Sequence, residues 1–164
     1  MSGGGNKALG WLRLVIFAVL LSGGLLASRG VLPLPAGKQQ QGKLNVTLKK
    51  TVDGDTAWFT DKSGNEIKVR FVGIDAPESG SAAFFASGLQ AATLLEQAQR
   101  IELEVEPSKP QDKHGRMLAW VWLTMPDGQK LLLQEEMMRS GNAELYRDAK
   151  GSLHFSRLEQ LAGR

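Results

Sequence analysis

The chain has 164 residues, 42% hydrophobic and 23% charged, which suits one modest globular domain with an extension. It has no cysteine and only two histidines, His114 and His154, which excludes a thiolate nucleophile, a disulfide framework, a cysteine zinc cage and a histidine-rich metal site. The net charge is +3, yet four of the 20 basic residues (Lys7, Arg13, Arg29, Lys38) and no acid precede Lys43; the other 16 face 17 acids, a balance of −1, so composition gives the domain no broad basic surface for nucleic acid.

Leu14 to Leu21 is unbroken apolar sequence within the longer stretch Trp11 to Ala27. A bilayer core needs roughly 20 apolar residues, so the stretch is short for a span, with Arg13 snorkelling at its edge. Lys7 and Arg13 on its amino-terminal side predict a cytoplasmic amino terminus and an exported domain. We read residues 1–29 as an uncleaved hydrophobic helix that anchors the chain to the membrane, with the domain periplasmic or extracellular. The alternative is secretion after signal cleavage at Ala27, which is disfavoured by Leu25 where a small residue is usual. Residues 30–42, rich in Pro, Gly and Gln, read as a linker, and 43–164 as the domain.

Within the domain, strand character runs over Leu44 to Thr51 and Thr56 to Thr60, with Asp53-Gly54 as a hairpin turn. A second turn, Asp61 to Asn65, leads to a strand over Glu66 to Ile74, in which alternation places Arg70, Val72 and Ile74 on one face. Asp75-Ala76-Pro77-Glu78 ends it, with proline fixing the turn. Helical spacing of Ala91, Leu94, Leu95 and Ala98 predicts a helix over Ala82 to Gln99. Strands at Arg100 to Val105 and Met117 to Leu123 follow, separated by the polar turn Asp112 to Arg116. Trp120 and Trp122 share one strand face and read as packing, as does His154. Helices at Leu131 to Arg139, stopped by Ser140-Gly141, and at Ser152 to Ala162 complete the chain. Five strands with a helix between the third and fourth predict an α+β fold: a five-stranded OB-fold-type β-barrel with about three helices.

The chemistry concentrates at three turns. Asp55 follows the Asp53-Gly54 turn, Arg70 precedes the Asp75 and Glu78 carboxylates, and Arg116 ends the third turn. Carboxylates for a hard cation or a general base, with guanidinium forks for developing negative charge, are what phosphoester hydrolysis needs. Each segment alone is also an ordinary solvated turn.

Taken together, D-G-D-T, R-x-x-x-x-D-x-P-E and D-K-x-G-R, over about Leu44 to Tyr146, resemble the thermonuclease family of staphylococcal-nuclease-like calcium-dependent nucleases. The resemblance implies a Ca2+ cofactor held by the Asp55 and Asp75 side chains and the Ala76 carbonyl, with Asp53 in support. It implies Glu78 as the group that orients or deprotonates the attacking water, and Arg70 and Arg116 as the phosphate clamp. Lys113 and His114 fall where the family contacts a terminal phosphate, His114 replacing an aromatic hydroxyl. The expected activity is calcium-dependent hydrolysis of DNA and possibly RNA; a catalytically silent OB module that binds nucleic acid or a protein partner is the alternative.

Overall fold

The computed structural model describes residues 42–163. The predicted anchor (1–29) and all but the last residue of the predicted linker (30–42) lie outside these residues. No helix among the described residues is long and apolar enough to cross a membrane.

Eight strands, three α-helices and one 3-10 turn make up the domain: β1 (Leu44–Thr51), β2 (Thr56–Asp61), β3 (Glu66–Phe71), β4 (Ile74–Asp75), α1 (Ala82–Gln97), β5 (Arg100–Val105), β6 (Met117–Thr124), β7 (Lys130–Leu132), α2 (Leu133–Arg139), β8 (Glu144–Leu145), the 3-10 turn Arg147–Ala149 and α3 (Phe155–Ala162). The main sheet runs β3-β2-β1-β5-β6-β7, and a further β3–β6 pairing closes it into a barrel. That pairing is parallel, with Arg70 opposite Leu118, whereas the other pairs in the sheet are antiparallel. This is the five-stranded barrel that the strand order predicts, with β7 added on the outer side of β6.

Period-two burial explains the closure. Ala57 and Phe59, Val69 and Phe71, Ile101 and Leu103, and Ala119 and Val121 are buried at alternate positions of their strands and form one apolar cluster. Trp120, also fully buried, faces the other way. The Gln134 side chain joins α2 to β6, accepting from the Val121 amide at 3.2 Å and donating to the Ala119 carbonyl at 3.0 Å. Ser81 caps α1, its hydroxyl accepting from the Phe84 amide at 3.1 Å. The helix then buries Ser87, Ala91 and Leu95, one residue per turn.

Several predicted boundaries are corrected. The third strand does not continue to Ile74: it ends at Phe71, and Gly73, at φ +83°, turns the chain. Ile74 and Asp75 then pair with β8 rather than extending β3, so the alternation linking Arg70 to Val72 and Ile74 fails beyond Phe71. The first helix stops at Gln97, because the Gln99 amide donates to the Thr124 carbonyl and draws the chain into β5. Leu131 and Leu132 are strand, paired with Leu123 and Trp122, so the second helix begins at Leu133. The last helix begins at Phe155, after turns that occupy Ser152 to His154.

Candidate active site

Arg70 is the centre of the site. It lies near the end of β3, its side chain only 13% exposed, and the turn at Gly73 brings β4 back across it. Its Nη1 donates to the Ile74 carbonyl at 2.8 Å and the Phe71 carbonyl at 3.1 Å, and lies 3.2 Å from Asp55 Oδ2. Nη2 donates to Asp75 Oδ1 at 2.9 Å. One guanidinium therefore joins carboxylates from two loops distant in sequence.

Asp55 is buried, 8% exposed, and its carboxylate is fully engaged. Oδ2 accepts from the Ala76 amide and Oδ1 from the Thr56 hydroxyl, both at 2.9 Å. Asp53 shapes the approach, its Oδ1 accepting from the Asp55 amide at 3.0 Å. Burial raises the Asp55 pKa, against the opposing pull of Arg70 and the Ala76 amide. A carboxylate desolvated in this way favours added positive charge.

Arg116, at the foot of β6, is tied by Nε to Asp112 Oδ2 at 2.6 Å, and its Nη1 reaches Thr56 Oγ1 at a long 3.5 Å. Burial opposes ionisation of Asp112, yet hydrogen bonds from the Arg116 side chain and amide and from the His114 amide, with the Arg116 charge, hold its pKa below the usual carboxylate range. Thr56 thus links Asp55 to Arg116, and both arginines line one open pocket of about 330 Å³. Asp75, Asp112, Tyr146, Lys109 and Lys150 are among the other residues around it.

The predicted residues separate into two groups. Asp55, Arg70, Asp75 and Ala76 come together, Asp53 supports them, and Arg116 joins them through Thr56. Glu78 stands on the exposed loop between β4 and α1; its carboxylate makes no hydrogen bond or ion pair among the described residues and does not line the pocket. Lys113 and His114 are exposed on the Asp112 to Arg116 turn and also lie outside the lining.

The donors offered to a cation are hard oxygens: two carboxylates and the Ala76 carbonyl. Among the described residues no group of three or more acids or histidines is gathered as a metal site. A two-carboxylate set suits a hard cation that keeps several waters, and the Asp75 side chain, 57% exposed, leaves room for them. These oxygen donors are of the chemical type that Ca2+ takes.

Thr56, Asp112 and Tyr146 are not singled out by sequence reasoning. Thr56 and Asp112 each stand inside a motif, D-G-D-T or D-K-x-G-R, but their partners are revealed only by the fold. Tyr146 is 43% exposed and lies with its ring about 6.0 Å from the Arg70 guanidinium carbon.

The family described as staphylococcal nuclease homologue matches residues 68–163, which takes in Arg70, Asp75, Glu78 and Arg116 and begins after Asp55. The chain belongs to this family. It is 38% identical over 86 residues to a thermonuclease of Staphylococcus intermedius, covering 46% of this chain and 47% of the relative. It is 31% identical over 110 residues to endonuclease YncB of Bacillus subtilis, covering 64% and 52%. A thermonuclease of Staphylococcus hyicus is 28% identical over 119 residues, covering 68% and 66%. The chain thus spans about half the length of the first two of these relatives.

Proposed function

We propose that the domain is a calcium-dependent phosphodiesterase that hydrolyses DNA internally in the strand, with RNA as a second candidate substrate. The observation that carries this reading is the pair of guanidiniums, Arg70 and Arg116, on one open pocket beside a buried aspartate, in a chain related to proteins named thermonuclease and endonuclease. Asp55, Asp75 and the Ala76 carbonyl would hold Ca2+, which when bound supplies Lewis acidity toward a phosphate oxygen. Glu78 accepts a proton from the attacking water as its oxygen bonds to phosphorus, and the bond to the leaving sugar oxygen breaks, that oxygen taking a proton from solvent. Arg70 and Arg116 meet the charge that gathers on the phosphate, where a fork that engages two oxygens serves better than a lysine. Lys113 and His114 would contact a terminal phosphate of the substrate. The apolar segment 1–29 tethers the domain to the membrane on its exported side.

The isolation of Glu78 favours a second reading, a silent OB module that binds nucleic acid without cleaving it. Incubating the protein with plasmid DNA and with RNA, in calcium or in chelator, separates the two. Cleavage that chelator abolishes is expected; equal cleavage in chelator would remove the metal from the reading, and binding without cleavage would favour the silent module. Glu78→Gln is expected to slow turnover by about two orders of magnitude with little change in substrate affinity. Wild-type turnover in that variant would remove Glu78 as the base.

A further inference from the structure

The two site arginines are held in different ways. Arg70 is engaged at both terminal nitrogens by protein acceptors: two carbonyls and the Asp55 and Asp75 carboxylates. The Arg116 side chain is engaged strongly only at Nε, by Asp112 Oδ2 at 2.6 Å, and its one other hydrogen bond among the described residues is the 3.5 Å approach to Thr56. A guanidinium has five N–H donors in a rigid plane, so occupying Nε fixes the plane and leaves the terminal nitrogens to point elsewhere. Here both residues line the pocket.

Asp112 is itself held in place. Its other oxygen, Oδ1, accepts from the His114 and Arg116 amides, both at 2.9 Å, and its backbone bonds to Arg116 and Gly115 close the turn. Gly115, at φ +74°, supplies the left-handed residue this turn requires. One carboxylate therefore divides its two oxygens between two tasks: Oδ1 folds the turn, and Oδ2 orients the side chain that the turn carries. Its side chain is only 12% exposed, so it is poorly placed to meet substrate itself.

From this geometry we infer that Asp112 is a positioning residue for the hydrolytic reaction, holding Arg116 by Nε so that its terminal nitrogens form a preset fork for a phosphate. The inference rests on the reading of Arg116 as a phosphate ligand. Preorganisation of this kind acts on the transition state, because the orientation is fixed before charge develops. It also accounts for the spacing of aspartate and arginine in D-K-x-G-R: the tight turn returns the chain so that residue 116 stacks its side chain on the carboxylate of residue 112.

The two tasks can be separated by substitution. In Asp112→Asn the remaining oxygen can still accept the two amides, as asparagine does in comparable turns, but the new NH2 faces the Arg116 Nε–H, donor against donor. The test uses the full chain with calcium and a labelled single-stranded oligonucleotide, measuring kcat, KM and Tm for Asp112→Asn, Arg116→Ala and the double variant. Arg116→Ala is expected to lower kcat about 10²–10³-fold. Asp112→Asn should lower kcat by up to about 10²-fold, with KM and Tm nearly unchanged. The double variant should turn over no more slowly than Arg116→Ala alone, since the positioning residue then has nothing to position.

Wild-type kcat in Asp112→Asn would overturn the inference, as would losses that multiply in the double variant. Wild-type kcat in Arg116→Ala would instead overturn the underlying reading of Arg116. If Asp112→Asn does not fold, Arg116→Lys carries the test. It keeps the charge but has no Nε–H for Asp112 to hold, so a loss close to that of Arg116→Ala is expected and wild-type turnover would overturn the inference.

Discussion

Gly54 stands between the two acids of the β1–β2 loop because there is no room for anything larger. A Cβ there would lie 1.7 Å from the Ser87 hydroxyl oxygen and 2.9 Å from the Ala76 Cβ, both in segments that pack on this loop. Gly54→Ala is therefore expected to destabilise the domain by about 1–3 kcal/mol, read as a lower denaturant midpoint, and to slow turnover by shifting Asp55. An unchanged midpoint would mean that α1 can retreat at no cost. Read from sequence, Asp53-Gly54 is simply a turn signal, whereas the fold makes the glycine a contact surface for a helix far along the chain. The same difference separates legible from illegible site residues. Arg70 and Asp75 were legible because a strand end and its turn place them locally. Asp112 and Thr56 were not, because their work is defined by partners such as Arg116 and Asp55 whose approach is a tertiary event. Glu78 has the residue type and spacing of a base, yet the fold leaves its carboxylate without a contact among the described residues.

At the level of elements, Glu104 in β5 and Glu106 just beyond its end hold the segment before α3. Glu106, 3% exposed, accepts from the Trp120 ring nitrogen at 3.0 Å, the Leu153 amide at 2.9 Å and the Ser108 hydroxyl at 2.6 Å. Glu104 accepts from the Trp122 ring nitrogen at 2.7 Å and lies 2.9 Å from His154 Nε2. The His154 ring meets both tryptophans edge to face, with centroids 5.2 and 5.4 Å away. Burial opposes ionisation of both glutamates, but these donors outweigh it and depress both pKa values. A depressed carboxylate contributes stability that is fully present above its unfolded pKa, about 4.3, and is lost as pH falls through the folded value. Glu106→Gln is expected to cost about 1–3 kcal/mol near neutral pH, because its NH2 must face donors. It should also flatten the fall in stability below about pH 4.3, measured by urea unfolding across pH, to the share left by Glu104 and other acids. An acid limb as steep as that of the wild type would show that Glu106 is not ionised as its partners require. The strand β5 that leads to these acids was legible by period two. The start of α3 was not, since the turns from Ser152 to His154 are set by contacts with β5 and not by helical spacing.

Across the whole molecule, charge is unevenly distributed, and this decides how nucleic acid can be held. The four basic residues before Lys43 account for the positive net charge, and the domain carries −1 without them. Within the site each guanidinium already faces acid: Arg70 meets Asp55 and Asp75, and Arg116 meets Asp112. The pocket alone therefore offers a polyanion little net attraction, and a cation on Asp55 and Asp75 would reverse the local balance. Residues 43–164 contain every buried apolar residue among those described, from Val46 to Leu158, so a chain beginning at Lys43 is expected to fold and to keep its turnover. Such a truncated protein should bind DNA with a shallow salt dependence. Two or three phosphate contacts correspond to a slope of log K against log salt of about −2 to −3, and chelator should weaken binding as well as abolish cleavage. The full chain should show a steeper slope, because Lys7, Arg13, Arg29 and Lys38 add counterion release. A slope of about −6 for the truncated form would instead reveal a broad cationic surface on the domain, and would move the source of affinity from the cation site to side chains outside it.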